Sequence, residues 1–182
     1  MFRRAIHSVF ISSRQITTSA TSNMPIKVGD KLPSVTLFEG SPNDKVNIAE
    51  LFASGKGVIF AVPGAFTPGC SKTHLPGYVQ DYSKLKEKGV KTVACVSVND
   101  PFVMAAWGEA QGAAGKIRML ADTQGEFTKA VDMELDLSAV LGTKRSQRYS
   151  LVVNDGVVTA VNQEPDGKGL TCSLSSELLK NL

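Results

Sequence analysis

The sequence predicts a single α/β domain in which helices flank a mixed central sheet, and three observations favour this fold class. Continuous apolar runs, typical of strands that are buried on both faces, occupy residues 58–62 and 90–98. Helical patterns follow both runs, so strands and helices alternate through the middle of the chain. The chain has 182 residues, 42% of them hydrophobic, which is enough to bury one sizeable core. We therefore expect one domain over residues 24–182.

The domain is predicted to open with a β-hairpin. Apolar residues within 24–38 indicate a strand, the polar cluster at 39–44 indicates a turn, and a second strand resumes at 45–48. A short helical turn follows at 49–52 and ends at Gly55.

Helices and strands alternate in the middle of the chain. After Cys70, apolar residues recur at helical spacing, although Pro76 lies inside this helix and is expected to kink it. The buried strand at 90–98 follows. Asp100 and Pro101 then begin a second helix, because a carboxylate suits the N-cap and proline suits the first helical position.

The C-terminal third is predicted to add further strands and helices to this core. In order, these are a strand at 117–120, a helix at 125–131, strands at 148–153 and 157–161, and a closing helix at 173–182. The sequence Asn154-Asp155-Gly156 between the last two strands is typical of a tight hairpin turn.

The net charge of +3 comes from the N-terminal segment, residues 1–23. This segment contains Arg3, Arg4 and Arg14, no acidic residue and many serines and threonines, a composition that indicates a mitochondrial transit peptide. A disordered basic tail is the alternative. Without the three arginines, the remaining basic side chains balance the 17 acidic ones. This balance argues against a surface that binds nucleic acid.

We accordingly expect the protein in the mitochondrial matrix. A shorter product that starts at Met24 would lack the targeting segment and stay in the cytoplasm. The C-terminal sequence Lys180-Asn181-Leu182 differs from the Ser-Lys-Leu signal, which argues against a peroxisomal address. No apolar run approaches the roughly 20 residues that a membrane helix needs.

The three cysteines, Cys70, Cys95 and Cys172, are too few and too scattered for a disulfide framework. A structural zinc site needs four ligands at characteristic spacing, and the sequence contains no CxxC motif. We therefore expect neither a metal site nor a cofactor. Cys95 lies in the middle of a predicted strand and is interpreted as a small buried hydrophobic residue.

Cys70 is the position that separates a reactive-thiol enzyme from an ordinary globular domain. It ends the segment Pro-Gly-Ala-Phe-Thr-Pro-Gly-Cys, directly after a buried strand and at the point where a helix should begin. The first N–H groups of a helix have no carbonyl partner, and the helix dipole is positive there. A sulfur at that point is favoured as the thiolate, which is the nucleophilic form.

Several nearby groups are candidates to assist a thiolate at Cys70. Arg148 opens a later strand and would bring a cation, and the Thr67 hydroxyl can accept one hydrogen bond and donate another. Pro63 would rigidify the turn, while the amides of Gly69 and Cys70 would hold an oxygen that gains negative charge. From the residues alone, Arg148 is equally a solvated strand end and Thr67 a simple turn residue.

The segment PGAFTPGCSKTHLPGY, with a strand before it and an arginine opening a later strand, resembles the active site of the peroxiredoxin family. The similarity is greatest to the atypical two-cysteine, peroxiredoxin-5 type. It extends over Met24–Leu182 and includes VSVNDPFVMAAWG and EPDGKGLTCSLS. The resemblance implies a thioredoxin-like fold and a thiol peroxidase that reduces hydrogen peroxide, alkyl hydroperoxides and peroxynitrite.

The resemblance also implies a role for each residue that matches the family motif. Pro63, Thr67, Cys70 and Arg148 fall on its proline, threonine, cysteine and arginine. Cys70 would be the peroxidatic cysteine, whose thiolate attacks a peroxide oxygen and becomes a sulfenic acid. Thr67, Arg148 and the turn amides would bind the peroxide oxygens.

Cys172, in a glycine-flanked loop before the last helix, is implied as the resolving cysteine. It would form an intramolecular disulfide with Cys70, which thioredoxin would reduce. A disulfide requires the two Cα atoms to lie within about 7 Å. A cysteine that begins a helix is not expected to meet this requirement without local unwinding. We therefore expect the first turn near Cys70 and the loop at 165–173 to rearrange on oxidation.

Leu137, Val140 and Leu141 are interpreted as core residues. Two other interpretations stay open for them: an apolar wall beside the sulfur that favours organic hydroperoxides, and a dimer contact. The oligomeric state is therefore left open between monomer and homodimer. His74 follows Cys70 by one helical turn and is interpreted as a surface or capping residue, because no third group is evident that would orient a Cys–His pair.

Two other function classes compete with the peroxidase. A thiol–disulfide oxidoreductase would usually need a CxxC motif, which this chain lacks. A non-catalytic binding module could sense peroxide through Cys70 and pass the oxidation to a partner. Such a module would consume peroxide stoichiometrically rather than catalytically.

Overall fold

The computed structural model describes residues 24–182, and the predicted transit peptide at 1–23 lies outside the described residues. Seven strands belong to one sheet. They are β1 (Thr36–Glu39), β2 (Ser41–Asn47), β3 (Lys56–Ala61), β4 (Val90–Ser97), β5 (Arg118–Ala121), β8 (Tyr149–Asn154) and β9 (Val157–Gln163). Two more strands, β6 (Glu134–Asp136) and β7 (Lys144–Ser146), form a separate antiparallel pair.

The helices are short and lie between these strands. They are α1 (Ile48–Leu51), α2 (Leu75–Gln80), α3 (Tyr82–Glu87), α4 (Pro101–Ala110), α5 (Glu126–Ala130), α6 (Ser138–Leu141) and α7 (Ser175–Leu178). A π-helical turn over Cys70–His74 precedes α2, and a 3-10 turn over Leu179–Asn181 follows α7. None of the helices in the described part of the chain is long and apolar enough to cross a membrane.

The main sheet is mixed, as predicted, with strand order β2-β1-β5-β4-β3-β8-β9. Its centre is parallel, because β4 pairs in parallel with both β3 and β5, while β1 and β8 join on the two sides in antiparallel fashion. Alternate residues of a strand face opposite sides of a sheet. Val58 and Phe60 of β3 accordingly pack with α2, α3, α4 and α7, whereas Ile59 and Ala61 pack with α1 and α5. Both faces are covered, which explains why residues 58–61 of this strand are all apolar.

The N-terminal hairpin forms, but its turn is shorter than the predicted 39–44. The chain turns at Gly40, whose φ of +74° suits glycine, and β2 already begins at Ser41. Pro42 lies within β2. Proline is tolerated there because β2 is an edge strand, where a missing N–H can face away from the sheet.

Two local signals are confirmed at the predicted positions. The Asp100 carboxylate accepts a hydrogen bond from the Val103 N–H at 2.9 Å, and Pro101 is the first residue of α4. The β8–β9 hairpin turns at Asp155 and Gly156, whose φ values of 48° and 78° are those of a tight hairpin turn.

Of two predictions about the C-terminal half, the closing helix is confirmed over a shorter range and the core assignment of three apolar residues is wrong. The predicted closing helix at 173–182 is limited to α7 and the 3-10 turn after it. Leu137, Val140 and Leu141 are not core residues: Val140 is 74% exposed, and the other two are half-buried. They lie on or beside the four-residue helix α6, which connects β6 to β7 outside the main sheet.

Candidate active site

A buried strand leads directly into the turn that carries Cys70. β3 ends at Ala61, and Pro63 and Gly64 after it are also buried. The turn is tightly packed, because a Cβ at Gly64 would lie only 3.2 Å from Cγ2 of Thr67. Glycine at this position therefore allows the chain to fold back towards Cys70.

The helical backbone begins just before Cys70. Pro68 and Gly69 are already helical, and the Ser71 N–H donates to the Thr67 carbonyl at 2.9 Å. The amides of Gly69 and Cys70 precede this bond, so they have no carbonyl partner within the helix. They are available to donate to an oxygen that approaches the sulfur.

The kink expected from Pro76 takes the form of the π-helical turn at Cys70–His74. In this turn the Leu75 N–H donates to the Cys70 carbonyl, five residues earlier. Pro76 has no N–H for the Lys72 carbonyl, and its ring would clash with that carbonyl in a regular α-helix. The wider turn relieves the clash, and both Cys70 and His74 are fully buried.

The Arg148 guanidinium lies against the Cys70 sulfur, although 78 residues separate them in the sequence. Arg148 Nη1 is 3.4 Å from Cys70 Sγ, and the arginine is only 4% exposed. The Arg148 N–H donates to the Gly167 carbonyl at 2.7 Å, and its Nε donates to the Lys168 carbonyl at 3.2 Å. These bonds fix a permanent cation beside the sulfur.

His74 is buried at the centre of the site, so its interpretation as a surface or capping residue is wrong. Arg148 Nη1 lies 3.2 Å from His74 Nδ1, and the Ser173 carbonyl lies 3.1 Å from Nε2. Because arginine only donates, Nδ1 accepts and Nε2 carries the proton. Burial and the adjacent Arg148 lower the pKa of His74 to about 3. The neutral ring therefore orients Arg148 and does not act as a base for Cys70.

Tyr78 supports His74 from the next turn of the same helix. Its hydroxyl donates to the Ser173 carbonyl at 2.8 Å, so this one carbonyl accepts from both side chains. The Tyr78 ring stacks on Phe60 of β3 with 3.9 Å between ring centroids. These contacts tie the helix after Cys70 to the loop that contains Ser173.

The Thr67 hydroxyl donates to the Gly64 carbonyl at 2.9 Å. This bond commits its proton, so the remaining lone pair of Thr67 is an acceptor for a protonated substrate oxygen. Phe66, beside it, has a φ of 60°, which is uncommon for a residue with a side chain. Such local strain is typical of functional turns.

Cys172 lies in the loop next to this turn, and its thiol has a different partner. Its Sγ donates to the Gln163 carbonyl at 3.2 Å, whereas Cys70 contacts Arg148. Both cysteines are free thiols, and Cys172 is half-buried. The two segments are in contact, since a Cβ at Gly69 would lie 3.2 Å from Cδ1 of Leu170.

Of the three apolar residues on or beside α6, Leu141 lies next to the Cys70 turn. Leu141 approaches the turn, with its Cδ1 3.7 Å from where a Cβ of Gly64 would lie, while Val140 faces solvent. Arg145, which the sequence analysis did not single out, donates to the carbonyls of Val98 and Leu141 at 2.8 and 3.2 Å. It thereby holds α6 beside the turn.

The third cysteine is a core residue. Cys95 is fully buried in β4, as predicted, and burial raises the pKa of its thiol well above the usual value. Within residues 24–182, no group of three or more His, Cys, Asp and Glu side chains is arranged to hold a metal ion.

Comparison with known proteins identifies the family. Residues 27–177 match the Redoxin family. Peroxiredoxin-2E-2, chloroplastic, of Oryza sativa subsp. japonica is 48% identical over 165 residues, which cover 86% of this chain and 72% of the relative. Peroxiredoxin-2E, chloroplastic, of Arabidopsis thaliana is 41% identical, with 98% of this chain and 78% of the relative covered.

Solved structures agree with these relatives. Peroxiredoxin 5 from Alvinella pompejana superposes with a TM-score of 0.79 at 45% identity, covering 86% of this chain and 97% of that one. Reduced Prx3 from Vibrio vulnificus in complex with H2O2 superposes with a TM-score of 0.80 at 48% identity, covering 85% and 98%. The thioredoxin-like fold implied by the sequence motif is confirmed.

The comparisons also correct the predicted localisation. Both relatives named above are chloroplastic proteins, so the predicted mitochondrial matrix address is contradicted. The same holds for the cytoplasmic form from Met24, which was inferred from that address. A basic segment rich in serine and threonine does not by itself distinguish one organelle from another.

Three findings identify the family and the activity. They are the buried thiol at the start of a helix, the anchored arginine beside it and the identity of more than 40% to two chloroplastic peroxiredoxins. The non-catalytic binding module and the CxxC-type oxidoreductase are thereby set aside. The chain belongs to the peroxiredoxin family and is a peroxidase of the oxidoreductase class.

Proposed function

We propose that Cys70 is the peroxidatic cysteine and that residues 24–182 form the catalytic domain. The Cys70 thiolate attacks the terminal oxygen of a hydroperoxide ROOH, and the O–O bond breaks. The sulfur keeps the OH group as a sulfenic acid, while the alkoxide takes up a proton and leaves as an alcohol, or as water from hydrogen peroxide. The 3.4 Å contact between Arg148 Nη1 and the buried sulfur supports this assignment most directly.

In this proposal the peroxide is held by several donors and one acceptor around the sulfur. Arg148 and the amides of Gly69 and Cys70 donate to the peroxide oxygens and stabilise the charge on the leaving oxygen. Thr67 accepts from the peroxide OH, because its own proton is committed to the Gly64 carbonyl. Ionisation of a thiol alone gives limited acceleration, since a thiol that ionises more readily is a weaker nucleophile. Positioning of the peroxide therefore supplies the rest.

The proposed substrates are hydrogen peroxide, alkyl hydroperoxides and peroxynitrite. Reduced Prx3 from Vibrio vulnificus, which is 48% identical, was solved in complex with H2O2 and supports the first of these. For organic hydroperoxides, Pro63 together with Leu137, Val140 and Leu141 forms the apolar border of the site. The position of Leu141 over the Gly64 turn supports this part of the proposal.

Cys172 is proposed as the resolving cysteine. Its thiol condenses with the Cys70 sulfenic acid, a disulfide forms, and one water molecule leaves. Because Cys172 Sγ donates to the Gln163 carbonyl in the reduced protein, this step requires the loop at 165–173 and the first turn near Cys70 to rearrange. Thioredoxin then reduces the disulfide.

Peroxide consumption coupled to thioredoxin, thioredoxin reductase and NADPH tests this mechanism with hydrogen peroxide and tert-butyl hydroperoxide. We expect the wild type to turn over and Cys70→Ser to be inactive. Cys172→Ser should react once with peroxide and then stall. Full activity of Cys70→Ser would exclude Cys70 as the nucleophile, and sustained turnover of Cys172→Ser with thioredoxin would exclude the two-cysteine cycle.

A further inference from the structure

The Glu164 carboxylate lies at the centre of the loop that carries Cys172. It follows β9 and is fully buried. Its Oε1 accepts from the N–H of Thr171, the N–H of Ser173 and the hydroxyl of Ser173, at 2.8, 3.0 and 2.7 Å. Its Oε2 accepts from the Thr171 hydroxyl at 2.6 Å. Four hydrogen bonds therefore join one carboxylate to the two residues that flank Cys172.

Glu164 is itself held firmly, so it can hold the loop. Its N–H donates to the Arg148 carbonyl at 3.1 Å, and its carbonyl accepts from the Gly167 N–H at 2.9 Å. Burial by itself raises the pKa of this carboxyl, but the hydrogen bonds from Thr171 and Ser173 outweigh burial and bring the pKa to about 2. The group is therefore an anion at neutral pH and accepts strong, charge-assisted hydrogen bonds.

The rest of the loop is held from both sides. The Cys172 thiol donates to the Gln163 carbonyl on β9, and the Ser173 carbonyl accepts from His74 and Tyr78 on the helix that follows Cys70. The thiol that has to reach Cys70 is thus held to β9. To form the disulfide, Cys172 has to leave Gln163, and the flanking donors cannot all stay on Glu164 while it moves.

We propose that Glu164 is a positioning residue that keeps the Cys172 loop closed in the reduced enzyme and thereby sets how long the Cys70 sulfenic acid persists. This inference rests on the proposed two-cysteine mechanism. The sulfenic acid has two competing fates. It condenses with the Cys172 thiol to a disulfide and water, or it reacts with a second hydroperoxide to give a sulfinic acid and an alcohol, which inactivates the enzyme.

The charge of Glu164 acts in the same direction as its hydrogen bonds. Burial and the adjacent Glu164 carboxylate raise the pKa of the Cys172 thiol. Less of the thiol is then present as the attacking thiolate while the loop is closed. A closed loop therefore slows disulfide formation in two ways: it keeps Cys172 away from Cys70, and it keeps the Cys172 thiol protonated.

Two variants loosen the loop to different degrees. Thr171→Val removes the 2.6 Å hydroxyl bond at an exposed residue, so the core is untouched. Glu164→Gln keeps the shape of the side chain but removes its charge. Glu177→Gln is the matched control, because the partly exposed Glu177 carboxylate of α7 pairs with Lys180 and takes no part in the hydrogen bonds that join Glu164 to Thr171 and Ser173. The hydroxyl variant keeps the test valid if the Gln variant fails to fold.

Rapid mixing of the reduced full-length protein with one equivalent of hydrogen peroxide separates the two chemical steps. Trp107 is the single tryptophan, and its Nε1 donates to the Ser71 hydroxyl, next to Cys70, so its fluorescence reports on both steps. Acid quenching and mass spectrometry identify the sulfenic acid and the disulfide. We expect Thr171→Val to accelerate disulfide formation roughly tenfold, as the loss of one hydrogen bond to a charged group predicts.

Glu164→Gln should accelerate the same step at least as much, and Glu177→Gln should match the wild type. The peroxide concentration that converts half of Cys70 to the sulfinic acid during turnover should rise by a similar factor in the two loop variants. Equal or slower disulfide formation in both would refute the role of Glu164. A wild type that forms sulfenic acid but never an intramolecular disulfide would instead refute the two-cysteine mechanism itself.

Discussion

The Cys70 turn and the Cys172 loop lie in contact, yet different interactions hold them. The Cys70 turn is built from the end of a buried strand and a helix packed on the sheet, and its sulfur is fully buried. The Cys172 loop has no regular secondary structure, and Cys172 itself is half-buried. Hydrogen bonds to the Glu164 carboxylate hold that loop, whereas apolar packing holds the Cys70 turn.

This difference matches the two chemical steps of the proposed mechanism. Attack on a peroxide needs donors that are already in place, because reorganisation during the reaction costs rate. Disulfide formation needs movement, because the partner thiol has to come within bonding distance. A loop held by a few polar bonds opens at a lower free-energy cost than a turn that is part of the core. The following experiments act first on the residues that join the two regions and then on the Cys70 turn and its border.

Arg148→Met should have the largest effect, because Arg148 contacts both regions. It donates to Cys70 and His74 on one side and to the Lys168 carbonyl on the other. We expect kcat/KM for hydrogen peroxide to fall by roughly 100- to 1000-fold, the usual cost of losing a donor to a developing oxyanion. Stopped-flow peroxide reduction measures this.

Arg118→Met is the matched control for this variant, since Arg118 pairs with Glu39 away from the site and its loss should leave kcat/KM nearly unchanged. Arg148→Lys should retain part of the activity through its charge. Wild-type kinetics in Arg148→Met would mean that the amides and Thr67 bind the peroxide without the cation.

Acidification should weaken the link between the two regions through His74. Its pKa is about 3 in the folded protein, because burial and Arg148 lower it from 6.5. Between these values the unfolded chain binds more protons, so stability falls as the pH decreases below about 6.5. At about 1.4 kcal/mol per pH unit, the loss reaches roughly 2 kcal/mol at pH 5.

Urea unfolding of the wild type and of His74→Asn at pH 7 and pH 5 measures this loss. The stability of the variant should lose most of its pH dependence in this interval. Glu164, with a pKa of about 2, contributes to the pH dependence of stability only below the pKa of an unfolded glutamate. Equal stability of the wild type at the two pH values would contradict a neutral buried His74.

Thr67→Val should affect the rigid region alone. The variant keeps the shape of the side chain and removes the acceptor for the peroxide OH. We expect kcat/KM for hydrogen peroxide to fall roughly tenfold, while the rate of disulfide formation stays at the wild-type value. Thr67→Ser, which keeps the hydroxyl, is the control. Slower disulfide formation with unchanged peroxide reduction would place Thr67 in the movable region.

Val140→Ser should have the smallest effect. Val140 is 74% exposed, so the change should leave stability within about 0.5 kcal/mol of the wild type. If α6 borders the peroxide site, kcat/KM for tert-butyl hydroperoxide should fall about two- to threefold, while that for hydrogen peroxide stays constant. An equal change in kcat/KM for both peroxides would show that Val140 does not border the peroxide site.

Features set by neighbouring residues could be predicted well. Apolar runs located the buried strands, and the Asp100 cap and the Asn154-Asp155-Gly156 turn lie where predicted. The segment at 135–147 was not predicted, because its short elements lie outside the main sheet and lack a clear apolar period. The length of the edge strand β2 was underestimated, because Pro42 and its polar neighbours have the composition of a turn.

The surroundings of Cys70 were only partly predictable. The motif pointed to Arg148, and the structure places its guanidinium on the sulfur. His74 was misjudged, although its position one helical turn after Cys70 and one before Tyr78 is on the apolar side of the helix. Glu164 carried no local signal, since a single carboxylate after a strand is usually solvated.

By itself the sequence determined the order of the main-sheet strands and of the helices between them, the family motif and the position of the candidate reactive thiol. These depend on the period of apolar residues and on turn chemistry, which act over a few neighbouring residues. Only the tertiary structure decided that His74 is neutral and buried, that Arg148 contacts both regions and that Glu164 holds the Cys172 loop. Those properties arise from burial and from partners up to 99 residues apart, which no local pattern encodes.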